Sequence, residues 1–125
     1  MALQTILVVD DTPLNRELAA DLLEAAGYTV LQAEDGTGLI ERVKRDRPGL
    51  ILLDLKLPGA DGFTLARQLK ADPATRAVPI VALTADLMPE KKGRALEAGC
   101  AAYLRKPLDA GELMQAVSRL LGPKT

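Results

Sequence analysis

The sequence predicts an α/β fold, a doubly wound parallel sheet of five strands sandwiched between helices. Three observations lead there. Short runs rich in Ile, Val and Leu recur along the 125 residues without polar alternation, which is how a parallel strand covered on both faces reads. Segments with helical spacing of apolar residues separate these runs. Strand and helix alternate five times, and right-handed crossovers then place helices on both faces of one sheet.

The first strand is the run Ile6 to Val9. Pro13 suits the first turn of a helix, which puts Leu18, Leu22 and Ala26 on one stripe, with Ala19 and Leu23 beside it, and ends at Gly27. A weaker strand follows over Thr29 to Ala33. The second helix is expected from about Gly38 to Arg47, using Leu39, Ile40 and Val43 and stopping before Pro48. Leu50 to Leu53 is the third strand, and Asp61-Gly62 opens a helix carrying Phe63, Leu65, Ala66 and Leu69. Ile80 to Leu83 is the fourth strand. Gly93 interrupts the helical pattern of Pro89 to Ala98 and makes this helix the weakest. Ala102 to Leu104 is a fainter fifth strand, and the last helix, Asp109 to Leu121, turns Leu113, Ala116, Val117 and Leu120 inward. No internal linker, low-complexity stretch or repeat appears, so residues 1–125 read as a single domain.

Composition removes several classes of function. Hydrophobic residues make up 48% and charged residues 26%, an ordinary globular balance that excludes a disordered, collagen-like or coiled-coil chain. Sixteen basic residues against seventeen acidic ones give a net charge of −1. Direct nucleic-acid binding needs clustered Lys and Arg, and no such cluster is present. With no histidine in the chain, Ser/His/Asp and Cys/His triads, histidine-ligated zinc and a histidine phosphoacceptor are all excluded. A single cysteine, Cys100, forms no internal disulfide. The start, MALQTILVVDD, has no basic leader and turns acidic after four strongly apolar residues, which predicts neither a signal peptide nor membrane insertion and points to the cytoplasm.

Chemistry is expected at the carboxyl ends of the strands, where open parallel sheets place their sites. Those ends carry Asp10-Asp11, Asp54, Thr84 and Lys106-Pro107. Taken singly, each fits an ordinary role. Asp11 or Thr12 caps the first helix, Asp54 is a polar strand end, Thr84 a strand residue and Lys106 a solvated lysine. Together they place three carboxylates, a hydroxyl and an ammonium at one sheet edge. Carboxylates that close repel, and at least one resists ionisation unless a cation joins them. Mg²⁺ suits such oxygen ligands and keeps room for phosphate oxygens. A carboxylate beside it can attack a phosphoryl group and become an acyl phosphate, with Lys106 and Thr84 meeting the oxygens of the transferred group.

Asp10-Asp11, the stretch Leu53-Asp54-Leu55-Lys56-Leu57-Pro58-Gly59-Ala60-Asp61-Gly62, Thr84-Ala85 and Lys106-Pro107 resemble the signature set of the bacterial receiver domain. That domain is the phosphoacceptor module of two-component response regulators, the CheY-like family. The resemblance runs from Thr5 to Leu121 in order and spacing. It implies a flavodoxin-like sheet of order 2-1-3-4-5, phosphorylation of Asp54, and magnesium held by Asp11 and Asp54 directly, by Asp10 through water and by the backbone carbonyl of Lys56. It also implies that Thr84 follows the phosphoryl group, that Lys106 pairs with it, that Lys106-Pro107 is cis, and that Tyr103 is the aromatic switch residue. The stretches TPLNRELAADLLEAAGY and LKADPATRAVPIVALTA resemble stand-alone cell-cycle and phosphorelay regulators and the receivers of hybrid kinases. The chain ends directly after the last helix, as both a stand-alone protein and a fragment would. The implied partners are a sensor histidine kinase or histidine phosphotransfer protein and a downstream protein target, and the implied chemistry is Mg-dependent self-phosphorylation and self-dephosphorylation only.

Competing patterns fit less well. A haloacid-dehalogenase-type phosphatase resembles a pattern with a second aspartate two residues after the first, and Lys56 stands there. Asp10-Asp11-Thr12-Pro13 provides no glycine-rich phosphate cradle. A receiver-fold interaction module working without phosphorylation remains the alternative. Three finer expectations follow. Lys56 and Asp86 pair across the mouth of the site or stand as independent solvated side chains. Leu14, Asn15 and the Pro107-Leu108 turn contact a docked partner, or Leu14 is ordinary core. Tyr103 turns inward as Thr84 moves toward a phosphoryl group, or covers the sheet edge in both states.

Overall fold

The computed structural model describes residues 4–57, 60–85 and 89–121. Strands β1 (Thr5–Val9), β2 (Thr29–Ala33), β3 (Leu50–Asp54), β4 (Ile80–Thr84) and β5 (Ala102–Arg105) form one sheet. Every pairing in it is parallel, and the order is β2-β1-β3-β4-β5, as expected. Helices α1 (Pro13–Ala25), α2 (Leu39–Asp46), α3 (Gly62–Ala71), α4 (Pro89–Glu97) and α5 (Ala110–Leu121) alternate with the strands.

Successive strand residues point to opposite faces, and here both faces are covered. Leu7, Val9, Ile51, Leu53, Ile80 and Ala82 pack against Leu39 and Val43 of α2, Leu65, Ala66 and Leu69 of α3 and Ala95 of α4. Ile6, Val8, Leu50, Leu52, Val81 and Leu83 pack against Ala19 and Leu23 of α1 and Leu113 and Val117 of α5. Double coverage explains the unbroken apolar runs of the central strands. The edge strands β2 and β5 are mostly half-buried, hence their weaker patterns.

Helix ends fall within a residue or two of expectation. α2 is flanked by Gly38 (φ 65°) and Arg47 (φ 48°), both left-handed, and it stops before Pro48. Asp61 caps α3, its carboxylate accepting the Phe63 amide at 3.0 Å. Two local features differ from the sequence reading. The face that α1 buries is Ala19, Ala20 and Leu23, whereas Leu18 is 42% exposed and Ala26 is exposed. Ala19, Ala20 and Leu23 form the face turned to the sheet, and Leu18 lies at its exposed border. An antiparallel ladder also pairs Lys56 with Asp61 and Leu57 with Ala60, closing the loop between β3 and α3.

Candidate acidic site at the sheet edge

β1 and β3 are adjacent and deliver Asp10 and Asp54 to the same edge, at the point where strand order reverses. Asp10 is 1% exposed and Asp54 2%. Asp10 is fixed at four points: its amide donates to the Ala33 carbonyl at 3.0 Å, its Oδ1 accepts the Thr12 amide at 2.9 Å, its carbonyl accepts Arg16 Nη1 at 2.8 Å, and its Oδ2 meets Lys106 Nζ at 2.8 Å. Asp54 Oδ1 accepts the Lys56 amide at 2.9 Å, and Oδ2 accepts Lys106 Nζ, also at 2.9 Å. Asp11 is exposed. Carboxylate oxygens of Asp10, Asp11 and Asp54 nevertheless lie within 4.8 Å of one another, the one such group of potential metal ligands among the described residues. Lys106 pairs with Asp10 and Asp54 and leaves Asp11 outside the ion pair, a carboxylate donor set that fits a hard divalent cation.

Electrostatics follow from this crowding. Burial pushes the Asp54 carboxyl above its ordinary range, helped by the charge of Asp10 and opposed by the Lys56 amide and Lys106. Burial works against the Lys106 ammonium, but its bonds to Asp10 and Asp54 outweigh that and raise its pKa. Asp54 thus resists ionisation, but chiefly through burial, with the carboxylate repulsion expected from the sequence only the smallest contribution. Lys106 is not a solvated lysine, with its side chain only 17% exposed. Its amide donates to the Thr84 carbonyl at 2.8 Å, which ties β5's end to β4's, and Lys106-Pro107 is cis. Thr84 follows Leu83, the residue in register with Asp54, and so stands at the same edge.

Ordinary helix capping does not account for the acidic pair. Thr12 occupies the N-cap position of α1 but makes no side-chain cap bond, and Pro13 takes the first turn. Asp86 lies outside the described residues, and with it the expected pairing to Lys56. Leu14 is 72% exposed, so it is not core. Tyr103 is half-buried against the α2–α3–α4 core and lines a groove of about 560 Å³ with Leu96, Leu104, Gln115 and Arg119. The sequence reading assigned Arg16 no role and placed Gly62 only as part of a helix start. Arg16 sits one turn into α1, within reach of the acidic loop that precedes the helix, a spacing that was visible. Gly62 stands where an added Cβ would meet Leu55 Cα at 2.5 Å and the Asp54 carbonyl oxygen at 2.8 Å, which sequence does not reveal.

Residues 6–118 match the family described as the response regulator receiver domain. The polar-differentiation response regulator DivK of Brucella anthropi is 33% identical over 119 residues, covering 95% of this chain and 97% of that protein. The gliding motility regulatory protein of Myxococcus xanthus is 41% identical over 116 residues, but the match takes in only 15% of its length. Among solved structures, the receiver domain of the Pseudomonas aeruginosa sensor histidine kinase PA1611, with a magnesium ion coordinated in its active-site cleft, superposes with a TM-score of 0.88. It is 36% identical, and the match covers 98% of this chain and all of that one. The Vibrio cholerae chemotaxis protein CheY4 gives 0.88 at 28% identity over 95% of this chain.

Proposed function

Because the chain belongs to the response regulator receiver domain family, we propose that Asp54 is the residue that receives a phosphoryl group, in a Mg²⁺-dependent transfer within the cytoplasm. The donor is a phosphohistidine on a sensor histidine kinase or a histidine phosphotransfer protein. The observation behind this reading is the gathering of Asp10, Asp11 and Asp54 oxygens within 4.8 Å of one another, with the ammonium of Lys106 bridging Asp10 and Asp54. Asp11 and Asp54 would hold Mg²⁺ directly, Asp10 through water and Lys56 through its backbone carbonyl. The bound ion offsets carboxylate repulsion and neutralises charge on the phosphoryl oxygens.

The protein's own groups do the rest. The Lys56 amide and Lys106 grip both oxygens of Asp54, holding the carboxyl plane fixed for attack. The new bond joins an Asp54 oxygen to phosphorus, the bond from the donor imidazole nitrogen to phosphorus breaks, and the product is an aspartyl phosphate. Once Asp54 is phosphorylated its carboxyl oxygens lose their charge, so Lys106 turns to a charged phosphoryl oxygen and keeps a charge-assisted bond there. Thr84 donates its hydroxyl to another. Water later hydrolyses the aspartyl phosphate, releasing inorganic phosphate and restoring the Asp54 carboxylate; the chain acts only on itself and passes its state to a downstream protein target. Exposed Leu14 and Leu18, one turn apart on α1 beside the site, offer the apolar contact for the donor protein.

The test is intact mass after incubation with Mg²⁺ and acetyl phosphate. Wild type gains one phosphoryl group. Asp54→Asn gains none, because an amide is a poor nucleophile, whereas Asp61→Asn labels as wild type does. Labelling of Asp54→Asn at the wild-type level would overturn the assignment, and no labelling of wild type would favour an interaction module that works without phosphorylation.

A further inference from the structure

Asp10 and Asp11 share one peptide bond, and the side chain holding that peptide comes from elsewhere. Arg16 Nη1 donates to the Asp10 carbonyl at 2.8 Å, while the Arg16 amide donates to the Thr12 carbonyl at 3.0 Å. One half-buried residue thus grips the acidic loop on both sides of Asp11. Asp10 has three other anchors. Asp11 is exposed, and its carboxylate meets only a weak contact from the Thr12 hydroxyl at 3.5 Å among the described hydrogen bonds. The direction in which Asp11 leaves the chain is therefore set by the peptide on which Arg16 pulls.

We infer that Arg16 is a positioning residue for the metal site: by fixing the Asp10–Asp11 peptide it aims the Asp11 carboxylate at Asp54 and Asp10. The inference rests on the reading of the cluster as a Mg²⁺ site. Outer groups that orient a ligand typically change metal affinity by about 10- to 100-fold when removed. An arginine acting through charge alone has the opposite sign. A cation beside three carboxylates repels Mg²⁺, and deleting it strengthens binding. Positioning and charge therefore predict opposite outcomes for one substitution.

Calorimetric titration of the full chain with Mg²⁺ decides between them, with urea unfolding in a chelator run alongside to report the fold. Wild type binds the ion, and Arg16→Gln binds it about tenfold more weakly. Arg16→Lys, which keeps the charge and one donor on a different stem, falls between them. Asp11→Asn weakens binding, and adding Arg16→Gln to it produces no further loss, because the carboxylate that Arg16 aims is gone. Equal or tighter binding by Arg16→Gln overturns the inference, as does a full additional loss in the double variant. If Arg16→Gln unfolds, Arg16→Lys carries the decision, and wild-type affinity there overturns it. A wild type that binds no Mg²⁺ removes the metal-site reading itself and the inference with it, an outcome distinct from any in which wild type binds and Arg16→Gln does not weaken.

Discussion

At Asp54 opposing effects act on one carboxyl: burial favours the protonated form, while the Lys56 amide and Lys106 favour the anion, and burial prevails. The proposed role as nucleophile needs the ionised form, and a divalent cation bound at the cluster would tip the balance toward it. Cys100 shows burial acting with little opposition. It is 5% exposed, and its thiol is pushed by burial from 9.0 to about 11, with Lys70 only partly offsetting this. The folded state therefore holds the thiol proton more tightly than the unfolded chain does. Stability from this group is complete below pH 9.0 and is lost as pH rises toward about 11, amounting to about 1–3 kcal/mol. Urea unfolding of wild type and Cys100→Ala across that window should show wild type losing stability relative to the variant. Parallel curves would refute the account. The same protonated, buried thiol should react slowly with iodoacetamide in the native protein and rapidly in urea.

Two glycines in helices have opposite meanings. Gly62 opens α3 directly against the end of β3, its amide donating to the Leu55 carbonyl at 3.1 Å. A Cβ there would meet backbone at 2.5 and 2.8 Å. Backbone does not swing aside as a flexible side chain does, so α3 must shift away from the loop that presents the Lys56 amide to Asp54. Asp61 caps that helix, and Arg94 of α4 lies 4.1 Å from the centre of the Phe63 ring, so the displacement also strains the contact between α3 and α4. Gly62→Ala should destabilise by about 1–3 kcal/mol and reduce labelling of Asp54. Gly93, inside α4, has nothing within 4 Å of an added Cβ. Gly93→Ala should stabilise by about 0.5–1 kcal/mol, because alanine loses less backbone freedom in a helix. Urea midpoints moving the same way in both variants would contradict this account.

On the scale of the whole molecule, sequence legibility tracks burial. The three central strands were plain because they are enclosed on both faces, and the site was plain because its residues stand at the strands' carboxyl ends. The buried face of α1 was legible only in part: Ala19 and Leu23 were read beside it, but Ala20, a small residue that carries little hydrophobic signal, was missed, and Leu18 and Ala26 were read into it although they are exposed. The Lys56–Asp61 ladder leaves no period at all, and the Arg16–Asp10 bond shows only as a one-turn spacing between Arg16 and the acidic loop. The same two-faced architecture makes the response to phosphorylation measurable. Tyr28 is 6% exposed and belongs to the core beneath α1 and α5, whereas Tyr103, on β5, packs on the opposite core beside α4. The chain has no tryptophan, so these two rings dominate its near-ultraviolet signal, one from each face of the sheet. Thr84 of β4 is in register with Arg105 of β5, two residues beyond Tyr103. A hydroxyl drawn toward a phosphoryl oxygen vacates space on the side of the sheet edge where Tyr103 lies, and the ring gains burial by turning in. Beryllofluoride with Mg²⁺, which imitates the phosphoryl group, should change tyrosine fluorescence or near-ultraviolet dichroism in wild type and equally in Tyr28→Phe. The change should vanish in Tyr103→Phe and weaken in Thr84→Ala, which lacks the hydroxyl. A signal that survives Tyr103→Phe but is lost in Tyr28→Phe would place the response on the α1–α5 face and refute the coupling of Thr84 to Tyr103.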